Sequence, residues 1–437
     1  MNTAEAGNPT SRTAFIRTLA SRDPRAAEAE LVKFLGDVFD VEIDDLSINQ
    51  DQYSLNSLNG FLTINDEPFF FKFHQEDGEE NMSGEYYRAD LIEKANLPID
   101  MPVMTSTSAG EQVLIYRRRN DRRFSDVLRE LDLEDDPQLV ATAADAERRL
   151  NSKILKVAKE TLHPVSVSQV SAEPINRLFF ERMIDPITGE VPGGRYAAFY
   201  LNKTFEFGNV TVLWQELSTA KFVLNGQVMS STIAQIFSDA ADRLKPTSLT
   251  GAGGITAHGD AHNANVWYET DGATPTLTYF DPAFAGEHVP SLLAEAKATF
   301  HNVFAHPLWL YDPDLAKTHY EASATYQDGV FHITTNWELS EVRRALLNAK
   351  ATSFWVPFLI ELQTRGLLPK NWRETLRSAL AMCPALVMNL RAGADRHNVC
   401  SSAIAFYVLG LVGSECETGA NTVSDFLDTI DPNKGSL

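Results

Sequence analysis

The stretch "HGDAHNANVW", His258 to Trp267, constrains this chain more than any other. Ten residues hold two His, one Asp and two Asn, just after an apolar run and just before the β-favouring "NVWYE". The turn "TDGATP", the strand-like "LTYF" and then Asp281 follow. A fold that contains this order must run strand, polar loop, tight hairpin, with acids at the strand edges. Such a hairpin can bring Asp281 back beside Asn265. A carboxylate and an amide oxygen are hard oxygen ligands of the kind Mg²⁺ takes. Asp260 lies across the loop from Asn265, where it can orient an incoming hydroxyl and accept its proton. That division of labour is what phosphoryl transfer needs: a cation on the phosphate oxygens and an acid aligning the nucleophile, with most of the acceleration coming from positioning.

Bulk properties narrow the class. With 437 residues, 44% hydrophobic and 22% charged, the chain has material for a sizeable core and a prior of two or three domains. A net charge of −21 argues against nucleic acid as a partner and is compatible with a cationic acceptor. Cys383, Cys400 and Cys416 are odd in number and lack metal-ligand spacing, which fits free thiols in a reducing, cytoplasmic setting. The opening "MNTAEAGNPTSRTAFIRTLASRDPR" has no apolar run of the secretory kind, and "AIAFYVLGLVG" (403–413) is too short for a bilayer. It reads as a buried helix, and no membrane partner is expected.

Along the chain, Asp23-Pro24 reads as a helix start, and Leu31, Phe34, Leu35 and Val38 give an amphipathic helix over 24–39. Residues 46–75 read as strands joined by the turn "NDEP". A helix near Ser83 to Pro98 and a hairpin closing on "QVLIY" follow, so 46–117 is a small, mostly antiparallel lobe carrying one helix. "FSDVLRELD" and "QLVATAADAERRLNSKILKVAKETL" are helices. Residues 165–230 interrupt the helical region, with strands expected in "AAFYLNKTF", "VTVLWQEL" and "KFVLNGQVM" and a hairpin at Asn225-Gly226. Helix returns at 231–244 and dominates 291–427, apart from a hairpin at Asp328-Gly329. The expected domains are an N-terminal extension (1–45), a nucleotide-binding lobe (46–117) and a catalytic and substrate lobe (118–437) that includes the 165–230 insertion.

"His258-Gly259-Asp260-Ala261-His262-Asn263-Ala264-Asn265" resembles the catalytic loop of the protein-kinase-like superfamily, and "HGDxHxxN" resembles its aminoglycoside phosphotransferase and small-molecule kinase branch. "Phe280-Asp281-Pro282-Ala283" stands where that branch holds its metal. The resemblance spans roughly residues 45–300. It implies an α+β, bilobal kinase-like fold, with a small antiparallel β lobe and a large, mainly helical lobe. It also implies a transferase that moves the γ-phosphate of ATP to a hydroxyl of a small molecule such as an antibiotic, sugar or amino alcohol. Asp260 would be catalytic, Asn265 and Asp281 would hold Mg²⁺ or Mn²⁺, and His258 would hold the loop. His262 would have either a loop-orienting or a substrate-side role.

Upstream, the resemblance asks for a lysine on an early strand, paired with a helix glutamate. Lys72, in "FFFKFH" and the only lysine or arginine inside an apolar strand of the small lobe, is costly amid aromatics unless its charge is used. Glu85 is the expected partner and Glu93 the alternative. Ser57 and Gly60, in "SLNSLNGF" (54–61), would cover the phosphates, with Ser54 beside them. The backbone of Tyr116, Arg117 and Arg118 would face adenine at the hinge. One departure is visible: the branch often has a bracing Asp some ten residues after the "DxA" segment, where this chain offers Glu287 or Glu295.

Simpler readings stand beside these. His301 and His306 fit a packed helix end before Pro307 better than a metal site, and Cys383 fits a core thiol. Two other functions are consistent with the same loop: a non-catalytic, nucleotide-binding kinase fold, and a protein kinase. "FDPAFAG" speaks against the latter because it lacks a DFG element.

Overall fold

The structure, a computed structural model, describes residues 12–49, 57–74, 88–106, 108, 110–134, 136–305 and 307–434. It is a mixed α and β protein made of two compact units. The first comprises residues up to 90 together with 99–121, and the second comprises 91–98 and everything from 122 onward.

In the first unit, helices α1 (Arg12–Ala20) and α2 (Pro24–Phe39) pack on a sheet of five strands ordered β1-β2-β3-β5-β4. The strands are β1 (Asp45–Ile48), β2 (Ser57–Ile64), β3 (Glu67–His74), β4 (Met104–Ser106) and β5 (Val113–Arg117), all paired antiparallel. Helix α2 starts where the sequence signals it. Asp23 accepts the Ala26 amide at 3.1 Å and Pro24 presets the first turn. Its apolar stripe, Leu31, Phe34 and Leu35, is fully buried against Leu62, Phe69, Phe71 and Ile115 of the sheet. Residues 12–45 therefore share the core of this unit.

β2 and β3 are joined by a two-residue turn at Asn65 and Asp66, both with positive φ (53° and 63°), a conformation these residue types tolerate. Side chains alternate across a strand. Phe69 and Phe71 face the helices, whereas Lys72, cross-strand from Asn59 and Leu114, lies on the opposite face and is half-buried.

The second unit contains a short helix α3 (Ala89–Lys94, its first turn lying at the unit boundary), α4 (Phe124–Leu133) and the long α5 (Pro137–Thr161). Asp136 caps α5 by accepting the amides of Gln138 (3.0 Å) and Leu139 (3.1 Å). Helix Val399–Gly413 is apolar on every face and buried, as its composition requires.

Two expected strands are partly helical: Gly194–Tyr200 and Trp214–Thr219 are helices that flank the strands Thr204–Phe207 and Val210–Leu213. Aromatic packing decides this. The helical spacing of Tyr196 and Tyr200 puts both against Phe237 (ring centroids 4.2 and 5.5 Å), with Trp214 4.7 Å from Tyr200.

The hairpin at Asn225-Gly226 forms, and so does the one at Asp328-Gly329. They join into one four-stranded sheet through a parallel pairing of Lys221–Leu224 with Val330–Ile333.

The quoted loop sits at the centre of this unit. Strand Gly254–Ala257 pairs with Gly286–Pro290, and between them run Val266–Glu269 and Thr276–Tyr279, paired to each other. Arg122–Arg123 adds a third strand on the Val266–Glu269 edge.

Candidate active site

The loop is built from its own backbone. Gly259 has φ 76°, and a Cβ there would lie 2.3 Å from the Phe284 carbonyl oxygen, so only glycine fits. His258 is buried, and its Nε2 and the Phe280 carbonyl are 3.0 Å apart while its Nδ1 lies 3.3 Å from the Asp260 amide. Both contacts are met by one neutral tautomer, with Nε2–H donating and Nδ1 accepting. Burial moves this histidine below its ordinary value. His258 thus ties the start of the loop to the residue before Asp281.

Asn265 donates its side-chain N–H to the Asp260 carbonyl at 3.0 Å, which leaves its amide oxygen as the side chain's remaining polar group. The Phe280 amide donates to the Asn265 carbonyl at 3.0 Å. Asp281 follows in a left-handed turn (φ 58°) that Asp tolerates better than most side chains. The local hairpin therefore brings the chain at Asn265 and at Asp281 side by side. An amide oxygen and a carboxylate at adjacent positions suit a hard divalent cation. Among the described residues there is no cluster of three or more His, Cys, Asp or Glu side chains that could hold a metal.

Asp260 is 7% exposed and its Oδ1 lies 2.6 Å from Lys297 Nζ, with His262 Nε2 at 3.5 Å. Burial pushes this carboxyl up. The Lys297 ammonium outweighs burial and holds the carboxyl well below the usual carboxylate range. Asp260 is therefore a desolvated but ionised acid. His262 is pushed down to about 4, chiefly by burial, and is neutral at physiological pH.

Lys297 is buried in the short helix Ala296–Thr299, which runs directly into a π-helical turn, Phe300–Phe304. That turn carries His301, whose ring centre lies 5.3 Å from that of His262, the two rings tilted by 40°, and whose two nitrogens have no hydrogen-bond partner among the described residues. It also carries Asn302, whose Oδ1 accepts the Asn263 amide at 2.8 Å. Arg343 fixes Asn302 in turn, donating from Nη1 to its carbonyl (2.8 Å) while pairing with the buried Asp132 (2.6 Å).

The bracing expected from Glu287 or Glu295 is made by neither. Glu287 is exposed, and Glu295 is buried against Lys350 at 3.2 Å. Glu173, from the 165–230 insertion, holds the strand that follows the Asp281 turn. Its Oε1 accepts the His288 amide at 2.8 Å, and its carboxylate fills the space over Gly286, where a Cβ would sit 1.6 Å from Oε2. Cys383 is a core thiol as expected, pushed up to about 12 by burial and donating to the Ala379 carbonyl. His306 lies outside the described residues.

The residues expected to meet the nucleotide belong to the first unit and find varied settings. Gly60 lies inside β2, where a Cβ would come 2.1 Å from the Ser47 carbonyl and 2.7 Å from the Phe71 ring. The space that needs glycine is filled by protein, so Gly60 answers to strand packing. Ser57 opens the same strand, and 54–56 and Glu85 lie outside the described residues. Glu93 is exposed. Tyr116 is buried at the end of β5, Arg117 pairs with Glu67 on the surface at 2.9 Å, and Arg118 donates its amide to the Pro68 carbonyl with its guanidinium over the Phe61 ring.

No family model matches the chain, and neither does any curated protein. The solved structures it is similar to are aminoglycoside phosphotransferases and small-molecule kinases. One is an aminoglycoside phosphotransferase in ternary complex with ADP and hygromycin B (TM-score 0.38, 13% identity, 82% of this chain and 97% of that one). Another is an ethanolamine kinase of Plasmodium vivax (0.41, 11%, 93% and 95%). A third is a microcompartment-associated aminopropanol kinase (0.40, 12%, 87% and 96%). Likeness at these scores says nothing of where a phosphate or an acceptor would sit; the residues carry that reading. No helix among the described residues is long and apolar enough to cross a membrane.

Proposed function

We propose that this protein is a phosphotransferase that moves the γ-phosphoryl group of ATP to a hydroxyl of a small molecule, its two units serving as the two lobes of a kinase-like enzyme. The observation that carries this reading is the constellation around the loop. One desolvated, ionised carboxylate (Asp260) stands on a backbone that Asn265 holds from one side and that His258 links to the Asp281 turn from the other. A chain has little reason to bury an ionised acid unless the charge is used.

Asp260 aligns the acceptor hydroxyl and takes its proton as the bond to phosphorus forms. Asn265 and Asp281 hold Mg²⁺ or Mn²⁺. The bound cation would neutralise charge on the phosphate oxygens. Lys72, on the sheet face away from α1 and α2, meets the phosphates, with Glu85 as its partner. The segments around Ser57 and Tyr116–Arg118 border the nucleotide.

The test is ADP release against a chemically diverse panel of hydroxyl compounds, run beside Asp260→Ala. Turnover should fall by at least ~10³-fold in the variant while nucleotide binding stays largely intact, as when a positioning carboxylate is removed. Equal rates for the two proteins would defeat the assignment. Nucleotide-dependent thermal stabilisation without ADP release from any acceptor would point to a binding module instead.

A further inference from the structure

A net charge of −21 invites the expectation of a cationic acceptor, but the charge does not gather where the acceptor must come. The only acid at the heart of the loop, Asp260, is already matched one to one by Lys297 at 2.6 Å. Around the pair lie His258, His262 and His301, all of them moved down by burial, and Arg182 acts on Lys297 and His301. Of the carboxylates further out, the metal reading commits Asp281, and Glu173 is engaged by the His288 amide.

His301 supplies a second, independent observation. It is 8% exposed, and neither ring nitrogen has a partner among the described residues. Burial holds it well below its ordinary value, so it stays neutral, with one N–H to donate and one nitrogen to accept. A hydroxyl, which both donates and accepts, matches such a ring. An ammonium, which only donates, leaves the ring N–H without an acceptor.

Resting on the phosphotransferase reading, we infer that Lys297 is a positioning residue which fixes the Asp260 carboxylate, and that Lys297 and His301 together select an acceptor whose reacting hydroxyl is flanked by a second hydroxyl rather than by an ammonium group. Lys297 occupies Oδ1 of Asp260, which leaves Oδ2 to meet the acceptor. It also cancels the Asp260 charge, so the centre offers an ammonium no net attraction. The neutral His301 then reads the neighbouring substituent.

The experiment compares matched acceptors that differ only in one hydroxyl exchanged for an amine: 1,2-propanediol with 1-amino-2-propanol, and glucose with glucosamine. Each is measured with the full-length protein by ADP release. The wild-type protein should favour the hydroxyl member of a pair by about tenfold or more in kcat/KM, because a site built around neutral hydrogen-bonding groups rejects a partner that leaves them unmatched. In Lys297→Met that ratio should fall by about tenfold or reverse, since Asp260 is then uncompensated, while nucleotide affinity is unchanged. His301→Leu tests the same idea without disturbing the ion pair. It should raise KM for the hydroxyl member several-fold and leave kcat nearly as it was.

Preference of the wild-type protein for the amines, or an unchanged ratio in both variants, overturns the inference and leaves the phosphotransferase reading standing. Absence of ADP release from every acceptor removes both. If Lys297→Met does not fold, the wild-type ratio and His301→Leu still decide the matter.

Discussion

Two lysines are buried in the second unit, and they are used differently. Lys297 (7% exposed) faces one carboxylate, Asp260, at 2.6 Å. Lys350 (2% exposed) lies between two, Glu147 at 3.1 Å and Glu295 at 3.2 Å, with the Asn151 amide oxygen at 3.4 Å. Each stands just before a π-helical turn, Phe300–Phe304 for Lys297 and Ala351–Trp355 for Lys350. A hydrogen bond from Trp355 Nε1 to Thr299 Oγ1 (2.9 Å) joins the two neighbourhoods. The surroundings separate them. Every N–H of Lys350 has an acceptor at hand, and the cluster ties α5 to helix Glu341–Lys350 and to the chain before Ala296. Beside Lys297 sits His301, neither of whose ring nitrogens has a partner among the described residues. A buried charge whose neighbours are all satisfied holds a fold together. One whose neighbours are left wanting is built to receive something.

Removing the charges from each cluster tests that distinction, and the largest effect belongs to the loop. The double variant Asp260→Asn with Lys297→Met removes both members of the pair. Activity should stay down by at least ~10³-fold, because the positioning carboxylate is gone. Stability should return close to wild type and exceed that of Lys297→Met alone, since exchanging a whole buried pair for uncharged groups is often nearly neutral, whereas stranding one partner costs about 3–5 kcal/mol. Urea unfolding of the three proteins, read beside ADP release, checks both parts.

Lys350→Met should show the opposite pattern. Two glutamates are left facing each other in the interior, and unfolding free energy should drop by about 3–5 kcal/mol. The folded protein should retain kcat. The pH dependence has a definite sign. In the native protein burial raises Glu295 above its ordinary value while Lys350 opposes that shift. Without the lysine the upward push is unopposed. A carboxyl whose folded value is raised contributes stability below its unfolded value and loses it as pH rises through the folded value. The variant should therefore gain stability as pH is lowered from 8 towards 5. Stability that instead falls steadily over that interval would mean the cluster is not the buried triad described here.

Much of this architecture is legible in the sequence because its signals are local. Asp23-Pro24 starts α2 at the expected residue, and Asn225-Gly226 and Asp328-Gly329 make the turns their backbone preferences allow. The mixed α and β character follows from the same periodicities. What cannot be read locally is tertiary in origin. The parallel pairing of 221–224 with 330–333 joins segments that carry no mark of each other. Residues 197–200, in "AAFYLNKTF", read as the start of a strand because aromatic residues favour strands, yet Tyr196 and Tyr200 pack from one helix on Phe237. In the site, the loop residues His258, Asp260 and Asn265 announce themselves by order and spacing, whereas Lys297 does not. It lies in "LLAEAKATF", where its neighbours are small or apolar, and that is the signal that singled out Lys72: a cation in an apolar run. Gly60 illustrates the converse: its place before the first hairpin suggests phosphate, and the closeness of β1 by itself requires a glycine there.

A smaller effect is expected where the loop leans on the π-helical turn. Asn302→Ala removes the acceptor of the Asn263 amide and leaves a buried N–H unmatched, at a cost of about 1–3 kcal/mol. Because Asn263 lies between Asp260 and Asn265, kcat should fall by about tenfold with nucleotide affinity unchanged, an effect of displaced rather than deleted groups. An unaltered kcat would mean the loop holds its shape without the turn.

The smallest effect brings the two lysines into the same arrangement. Glu295→Gln converts the Lys350 cluster from two carboxylates on one ammonium to a single pair, the pairing Lys297 already has. The glutamine oxygen can still accept from Lys350, and one buried negative charge disappears along with its burial penalty and its repulsion from Glu147. The lost attraction to Lys350 and the removed penalty oppose each other, so unfolding free energy should change by no more than about 1 kcal/mol in either direction. kcat should not move, because Glu295 touches none of the loop's groups directly. A large fall in kcat at unchanged stability would show that the two lysine neighbourhoods are coupled through the Trp355 to Thr299 hydrogen bond, and that the division between a structural and a receptive buried charge is drawn in the wrong place.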